Sequence, residues 1–143
     1  MVDSDTLMRS LALAARTAAR DLTREIEPEG LFGAEWATLA LLHRTGPVSQ
    51  ATLAGGLAIE PPAISKALAR LEAKGWVQRS PGPTRREYRV ALTGAAEERF
   101  PRWAACVGAH HARALAGLTE GEKSQLLALL GRLLGNLQET PEA

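Results

Sequence analysis

Between Ser49 and Gly75 the chain sets helix-start and helix-stop signals so close together that it can hold only two short helices around a tight turn. Ser49 can cap the first, its hydroxyl accepting from a backbone N–H in the opening turn of a helix that runs from Gln50 to about Leu57. Gly55-Gly56 weakens the end of that helix, and Ala58-Ile59-Glu60 makes the turn. Pro61 and Pro62 pre-set the first turn of the second helix, where their missing N–H groups cost nothing. Ile64, Leu68 and Leu71 fall on one side of it, and Gly75 is placed to be the left-handed residue that ends it after Lys74. This is the spacing of a helix-turn-helix.

Trp76-Val77-Gln78-Arg79 and Tyr88-Arg89-Val90-Ala91-Leu92 alternate as short strands, and the stretch from Ser80 to Glu87 between them is turn-rich and basic, so a β-hairpin wing follows the second helix. Upstream, Leu7, Leu11, Ala14, Ala18, Leu22 and Ile26 step by three or four, predicting a long amphipathic helix that ends before Pro28 and Gly30. Its narrow apolar stripe suits a partner helix. A helix from about Gly33 to Arg44 turns Trp36, Leu39, Ala40 and Leu42 inward, and Phe32 before it offers no side-chain cap. Downstream, Thr93 can cap a helix beginning at Gly94, with a kink expected near Pro101. Thr119 and Glu122 form a capping box that opens a last helix carrying Leu126, Leu127, Leu129, Leu130, Leu133, Leu134 and Leu137. So many leucines exceed what one stripe buries in a chain of 143 residues, which points to a two-fold partner; the alternative is a helix sunk in its own domain's core. The expected fold class is mainly α with a small β-hairpin. One domain spans residues 1–143, with a winged helix-turn-helix region at 31–93 between dimerisation helices at 1–30 and 94–143.

The net charge of +1 argues against a nucleic-acid-binding chain, but its distribution argues for one. Between Pro61 and Leu92 stand seven bases, Lys66, Arg70, Lys74, Arg79, Arg85, Arg86 and Arg89, against two acids, Glu72 and Glu87. The remainder is therefore net acidic, and a polyanion is directed to one face. A helix fits the major groove of duplex DNA with its N-terminal side chains at base edges, and an arginine on a narrow hairpin can enter the minor groove. Ser65 and Lys66 are the candidates for base contacts, Lys66 for guanine O6/N7, with Arg70 one turn later and nearer the backbone. Ser49, Gln50 and Ala63 at the two helix starts, with Arg85 and Arg86 in the hairpin, complete the candidate DNA-binding set.

No nucleotide loop, nucleophile motif or His/Asp/Glu set with metal spacing is present, so neither an enzyme nor a bound metal or cofactor is expected. No run approaches the roughly 18 apolar residues that a membrane-spanning helix needs, and the opening MVDSDTLMRS carries acids in place of an export signal's basic region. The single cysteine, Cys106, excludes an intramolecular disulfide. A cytoplasmic protein with no membrane partner is expected.

The ordered set Glu35-Trp36-Ala37-Thr38-Leu39, Pro61-Pro62-Ala63-Ile64-Ser65-Lys66, Leu71-Glu72-Ala73-Lys74-Gly75-Trp76-Val77, and Arg85-Arg86 leading into Val90-Ala91-Leu92-Thr93 resembles the MarR family of multiple-antibiotic-resistance-type regulators, over about residues 5 to 138. The resemblance implies a triangular homodimer whose first and last two helices interlock, bound to a pseudo-palindromic operator. It further implies a repressor released by a small-molecule effector held between the dimer region and the winged domain. It sets Ser65 and Lys66 where the family reads the major groove, and Arg86 where the wing arginine enters the minor groove. Family wings carry an aspartate at the position of Thr84 that pairs with that arginine; Thr84 offers a hydrogen bond but no charge.

Trp36, His43 and His110 are the candidate effector-pocket residues; core packing is the expected use of Trp36 and Trp103, and stacking on an aromatic effector is the alternative. His110 and His111 point to different faces of one helix and cannot chelate one ion together. Cys106 is expected to be a buried, inert thiol. Two other functions share this fold. A winged-helix protein-interaction module should lack the basic helix and basic wing, and an effector-independent DNA-binding factor differs from a sensor only in its response to ligand.

Overall fold

The computed structural model describes residues 1–84 and 87–138. Among them are six α-helices and a three-stranded antiparallel sheet, the mainly α winged-helix architecture that the sequence leads one to expect. Helix α1 (Ser4–Ile26) starts at Asp3, whose carboxylate accepts from the Thr6 N–H at 3.0 Å, and ends in a turn of 3-10 helix at Glu27–Glu29. Helix α2 (Gly33–Thr45) follows Phe32, which has no cap to offer; the Phe32 N–H instead donates back to Glu35 Oε1 at 2.9 Å.

Helices α3 (Gln50–Leu57) and α4 (Pro61–Ala73) are the helix-turn-helix. Ser49 Oγ accepts from the Thr52 N–H at 3.1 Å, as its place before α3 requires. The turn depends on Ala58, whose φ of 52° is left-handed, a conformation that costs a residue bearing a Cβ about 1 kcal/mol. Gly75, at φ 83°, closes α4 without that cost, and the Trp76 N–H reaches back to the Leu71 carbonyl at 3.0 Å.

Strands β2 (Val77–Pro81) and β3 (Tyr88–Leu92) pair as the hairpin, with Arg79 opposite Val90. A third strand, absent from the sequence expectation, is β1 (Val48–Ser49), which pairs Val48 with Val90 and Ser49 with Arg89. The sheet order is β1-β3-β2.

The chain divides into two compact units, Met1–His110 and the segment from His111 onward. In the first, Ile26, Leu31, Leu39, Leu53, Ile64, Leu68, Leu71, Val77, Val90 and Trp103 are buried together, so every element from the end of α1 to the middle of α5 (Gly94–Ala114) feeds one core. Trp103 meets Trp76 edge-on at 4.8 Å. Thr93 ties the motif to α5: its Oγ1 accepts from the Ala96 N–H at 3.2 Å while its hydroxyl donates to the Gly75 carbonyl at 2.6 Å.

In the second unit, α6 (Glu120–Gln138) opens on the expected capping box, with the Glu122 N–H donating to Thr119 Oγ1 at 3.1 Å and the Thr119 N–H to Glu122 Oε1 at 2.9 Å. The backbone and side-chain bonds from Thr119 hold the Glu122 carboxyl below the usual carboxylate range. None of the residues of α6 is buried, and Leu127 and Leu137 are 73% and 70% exposed. The alternative of a helix sunk in its own domain's core is therefore excluded. Leu7, Met8 and Leu13 of α1 are exposed as well. Among the described residues no helix is long and apolar enough to cross a membrane.

Candidate nucleic-acid interface

Because Ile64, Leu68 and Leu71 turn into the core, the rest of the α4 surface is defined by helical spacing. Ala63, Lys66 and Arg70 are exposed, while Ser65 is half-buried and stands closer to the core than its assignment to a base contact implies. Lys66 and Arg70, four residues apart, share one face of the helix. Neither side chain makes an ion pair or hydrogen bond among the described residues. Like charges at this spacing repel by a few tenths of a kcal/mol, roughly, and an external anion relieves them.

Two of the seven bases do not belong to this face. Lys74 Nζ lies 2.8 and 2.9 Å from the two carboxylate oxygens of Glu35, 3.2 Å from the Gly30 carbonyl, and 5.0 Å from the centre of the Phe32 ring. Glu35 is only 6% exposed, so this is a structural pair across the core's edge. Arg79 is held by Glu72, with its backbone N–H at 3.2 Å and its guanidinium at 3.5 Å from the carboxylate. Arg89 is exposed, with a long contact of 3.4 Å to the Pro47 carbonyl. Arg85 and Arg86 lie outside the described residues. Beside them the Gly82 N–H donates to the Glu87 carbonyl at 2.7 Å and the Glu87 N–H to the Thr84 carbonyl at 3.2 Å.

At the start of α3 the Ser49 hydroxyl is engaged locally, accepting from the Thr52 N–H and donating to Thr52 Oγ1 at 2.8 Å. Gln50 is half-buried, and its Oε1 is buried with no hydrogen-bond partner among the described residues. Of the candidate effector residues, Trp36 and His43 come together: both stack on Phe100, with ring centroids at 5.2 and 3.7 Å, and His43 Nδ1 is 3.5 Å from Glu97. His110 is elsewhere, about 15 Å along α5 by helical rise, buried with its Nε2 at 3.2 Å from Asp21. Cys106 Sγ donates to the Glu25 carbonyl at 3.2 Å; burial first, and the charges of Glu25 and Glu29 next, push its pKa up, as suits an inert thiol. A row passed over in the sequence is Arg16, Arg20 and Arg24, which lines an open cleft of 590 Å³ beside the start of α2. Its four-residue spacing was the available signal.

The sequence profile of the MarR family matches residues 33–86, from the start of α2 to the hairpin. The HTH-type transcriptional regulator YwoH of Bacillus subtilis (strain 168) is 35% identical over 94 residues, which span 66% of this chain and 69% of that protein. The chain belongs to the MarR family. A MarR transcriptional regulator from Methanosarcina mazei Go1 has the same fold, with a TM-score of 0.83 at 20% identity over 95% of this chain and 92% of that one. A cysteine-to-serine variant of MarR from E. coli, in complex with operator DNA, superposes with a TM-score of 0.82 at 26% identity over 90% of this chain and 94% of that one. As a MarR-family member the chain is a transcriptional regulator and not an enzyme.

Proposed function

We propose that this MarR-family regulator is a cytoplasmic homodimer that binds duplex DNA, each α4 entering one of two successive major grooves of a pseudo-palindromic operator about one helical turn apart. It acts as a repressor, and a small-molecule effector releases it by favouring a different spacing of the two DNA-reading units. The observation that carries the DNA reading is the pair Lys66 and Arg70, exposed on one face of α4 and without an acid partner among the described residues. The likeness to E. coli MarR, solved in complex with operator DNA, supports DNA as the partner. Gln50, Ala63 and Ser65 flank it at the two helix starts, Ser49 orients α3, and Arg85 and Arg86 take the minor groove as the family resemblance implies. The dimer rests on the uncovered leucines of α6 and the exposed apolar residues of α1.

Titration of the purified protein against the duplex upstream of its own gene, at two salt concentrations with random-sequence competitor, tests the proposal. Selective, salt-sensitive binding of one dimer per site is expected. Lys66→Ala should lose about 1–3 kcal/mol of discrimination between sites, whereas Arg70→Ala and Arg86→Ala should weaken all sites alike and reduce the slope of log K against log salt by about 0.9 each. Parent and variants binding no better than to competitor would overturn it.

A further inference from the structure

We infer that the arginine row of α1 is a second nucleic-acid contact, taking the phosphodiester backbone of a duplex other than the one read by α4. Arg16, Arg20 and Arg24 recur every four residues and are exposed, each about one turn of helix from the next. Helical spacing sets Arg20 half a turn round from Ala18 and Leu22, so the row faces away from the apolar stripe that packs α1 on the core. The acids of this half of α1 turn the other way: Asp21 Oδ2 meets His110 Nε2 at 3.2 Å, and the charge of Glu25 acts on Cys106 of α5. The three arginines make no ion pair or hydrogen bond among the described residues, and like charges at this spacing repel one another until an anion lies across them. They line an open cleft of 590 Å³ against Phe32, Gly33 and Ala34, where the start of α2 adds the positive end of its helix dipole. The acid in the first turn of α2, Glu35, is already bonded to Lys74 at 2.8 Å.

The spacing fits a nucleic-acid strand. Successive arginines are separated by about 6 Å of helical rise, close to two steps of about 3.4 Å along one strand of a duplex, which brings alternate phosphates to the three guanidinium forks. Every base in the row is arginine, the side chain whose planar fork takes two oxygens of one phosphate. Phe32, at the edge of the cleft, has its ring centre 5.0 Å from Nζ of Lys74, just past the last residue of α4. Lys66 stands two turns back toward the start of that helix. The row therefore borders the end of α4 opposite to the one assigned to base contacts, and the inference goes beyond the proposed function without depending on it.

A short fluorescent duplex of random sequence is the probe, titrated by anisotropy with the full chain at several salt concentrations. The comparison is made in Lys66→Ala/Arg70→Ala/Arg86→Ala protein, so that the α4 face is silent throughout. Adding Arg16→Gln, Arg20→Gln and Arg24→Gln is expected to lower the slope of log K against log salt by about 2.7, three phosphate contacts at about 0.9 each. The helical circular dichroism should be unchanged, because all three positions are exposed. No binding by the background protein at low salt, or a slope untouched by the three glutamines, would overturn the inference. So would displacement of the probe by oligoglutamate as effective, at equal charge, as displacement by unlabelled duplex, which would assign the row to an acidic protein segment. In a second arm, the parent saturated with unlabelled operator is expected to capture the labelled duplex, and the Arg16→Gln/Arg20→Gln/Arg24→Gln variant to lose that capture. Equal capture by the two proteins, or capture by neither, would overturn the separation of the two duplexes. The first arm contains no operator, so a failure of the proposed function would leave its result standing.

Discussion

Lys74→Met keeps the reach of the side chain and removes its charge from Glu35. The carboxylate then retains the Phe32 N–H at 2.9 Å but loses the two contacts at 2.8 and 2.9 Å, while remaining 6% exposed. Stripping one partner from a buried pair costs about 3–5 kcal/mol. The Lys74 side chain is 34% exposed, so water reaches that end of the pair and about 2–3 kcal/mol is the better figure. At roughly 3 °C per kcal/mol for a chain of this length, Tm should fall by about 6–9 °C. Glu35→Gln combined with Lys74→Met should recover most of the loss, because no bare buried charge remains. Calorimetry of the parent, the two single variants and the double variant completes the cycle. DNA titration below all four transitions should return the parent salt slope throughout. If Lys74→Met kept the parent Tm and lowered the salt slope by about 0.9, Lys74 would be facing phosphate and the structural pairing would be refuted.

Leu127→Glu together with Leu137→Glu, at positions 73% and 70% exposed, should turn the proposed dimer into a monomer in sedimentation velocity; a dimer unchanged by both would remove α6 from the interface. The Cys106 pKa is raised above its ordinary value, so the thiol stays protonated at pH 8 and iodoacetamide should modify it more slowly than free cysteine, the rate rising only at higher pH. Cys106 is only half-buried, and equal rates at pH 8 would refute its raised pKa. Ala58→Gly removes a Cβ from the left-handed turn between α3 and α4 and should stabilise by about 0.5–1 kcal/mol after the added freedom of the unfolded chain, read by urea denaturation. A net loss would mean that the turn stores no strain.

The elements whose boundaries depend on one cap or breaker were legible in the sequence: Ser49 before α3, Pro61 at α4, Gly75 after it, Thr93 before α5 and the Thr119/Glu122 box before α6 all stand where local chemistry puts them. Strand β1 was not, because the two residues Val48–Ser49 are too few to display alternation and their pairing partner lies forty residues on. The basic cluster was legible as a count but not as a surface. Glu35, which removes Lys74 from it, is separated from that lysine by 39 residues, and no local pattern announces the pair. Phe100, which gathers Trp36 and His43 into one stack, is similarly remote from both.

Strand β1 is two residues long, yet Ser49 is at once a rung of the sheet against Arg89 and the cap of α3. Thr93, leaving the other end of the sheet, is bonded to Gly75 at the end of α4. Hairpin and helix pair are thus bolted together at both ends, and the distance from recognition helix to wing is set like the gap of a fixed gauge. A gauge of that kind cannot stretch to suit a longer or shorter half-site. In the proposed dimer, tolerance for operator spacing then comes from the joint between subunits or from bending of the duplex, and substitutions that retune it belong outside residues 48–93.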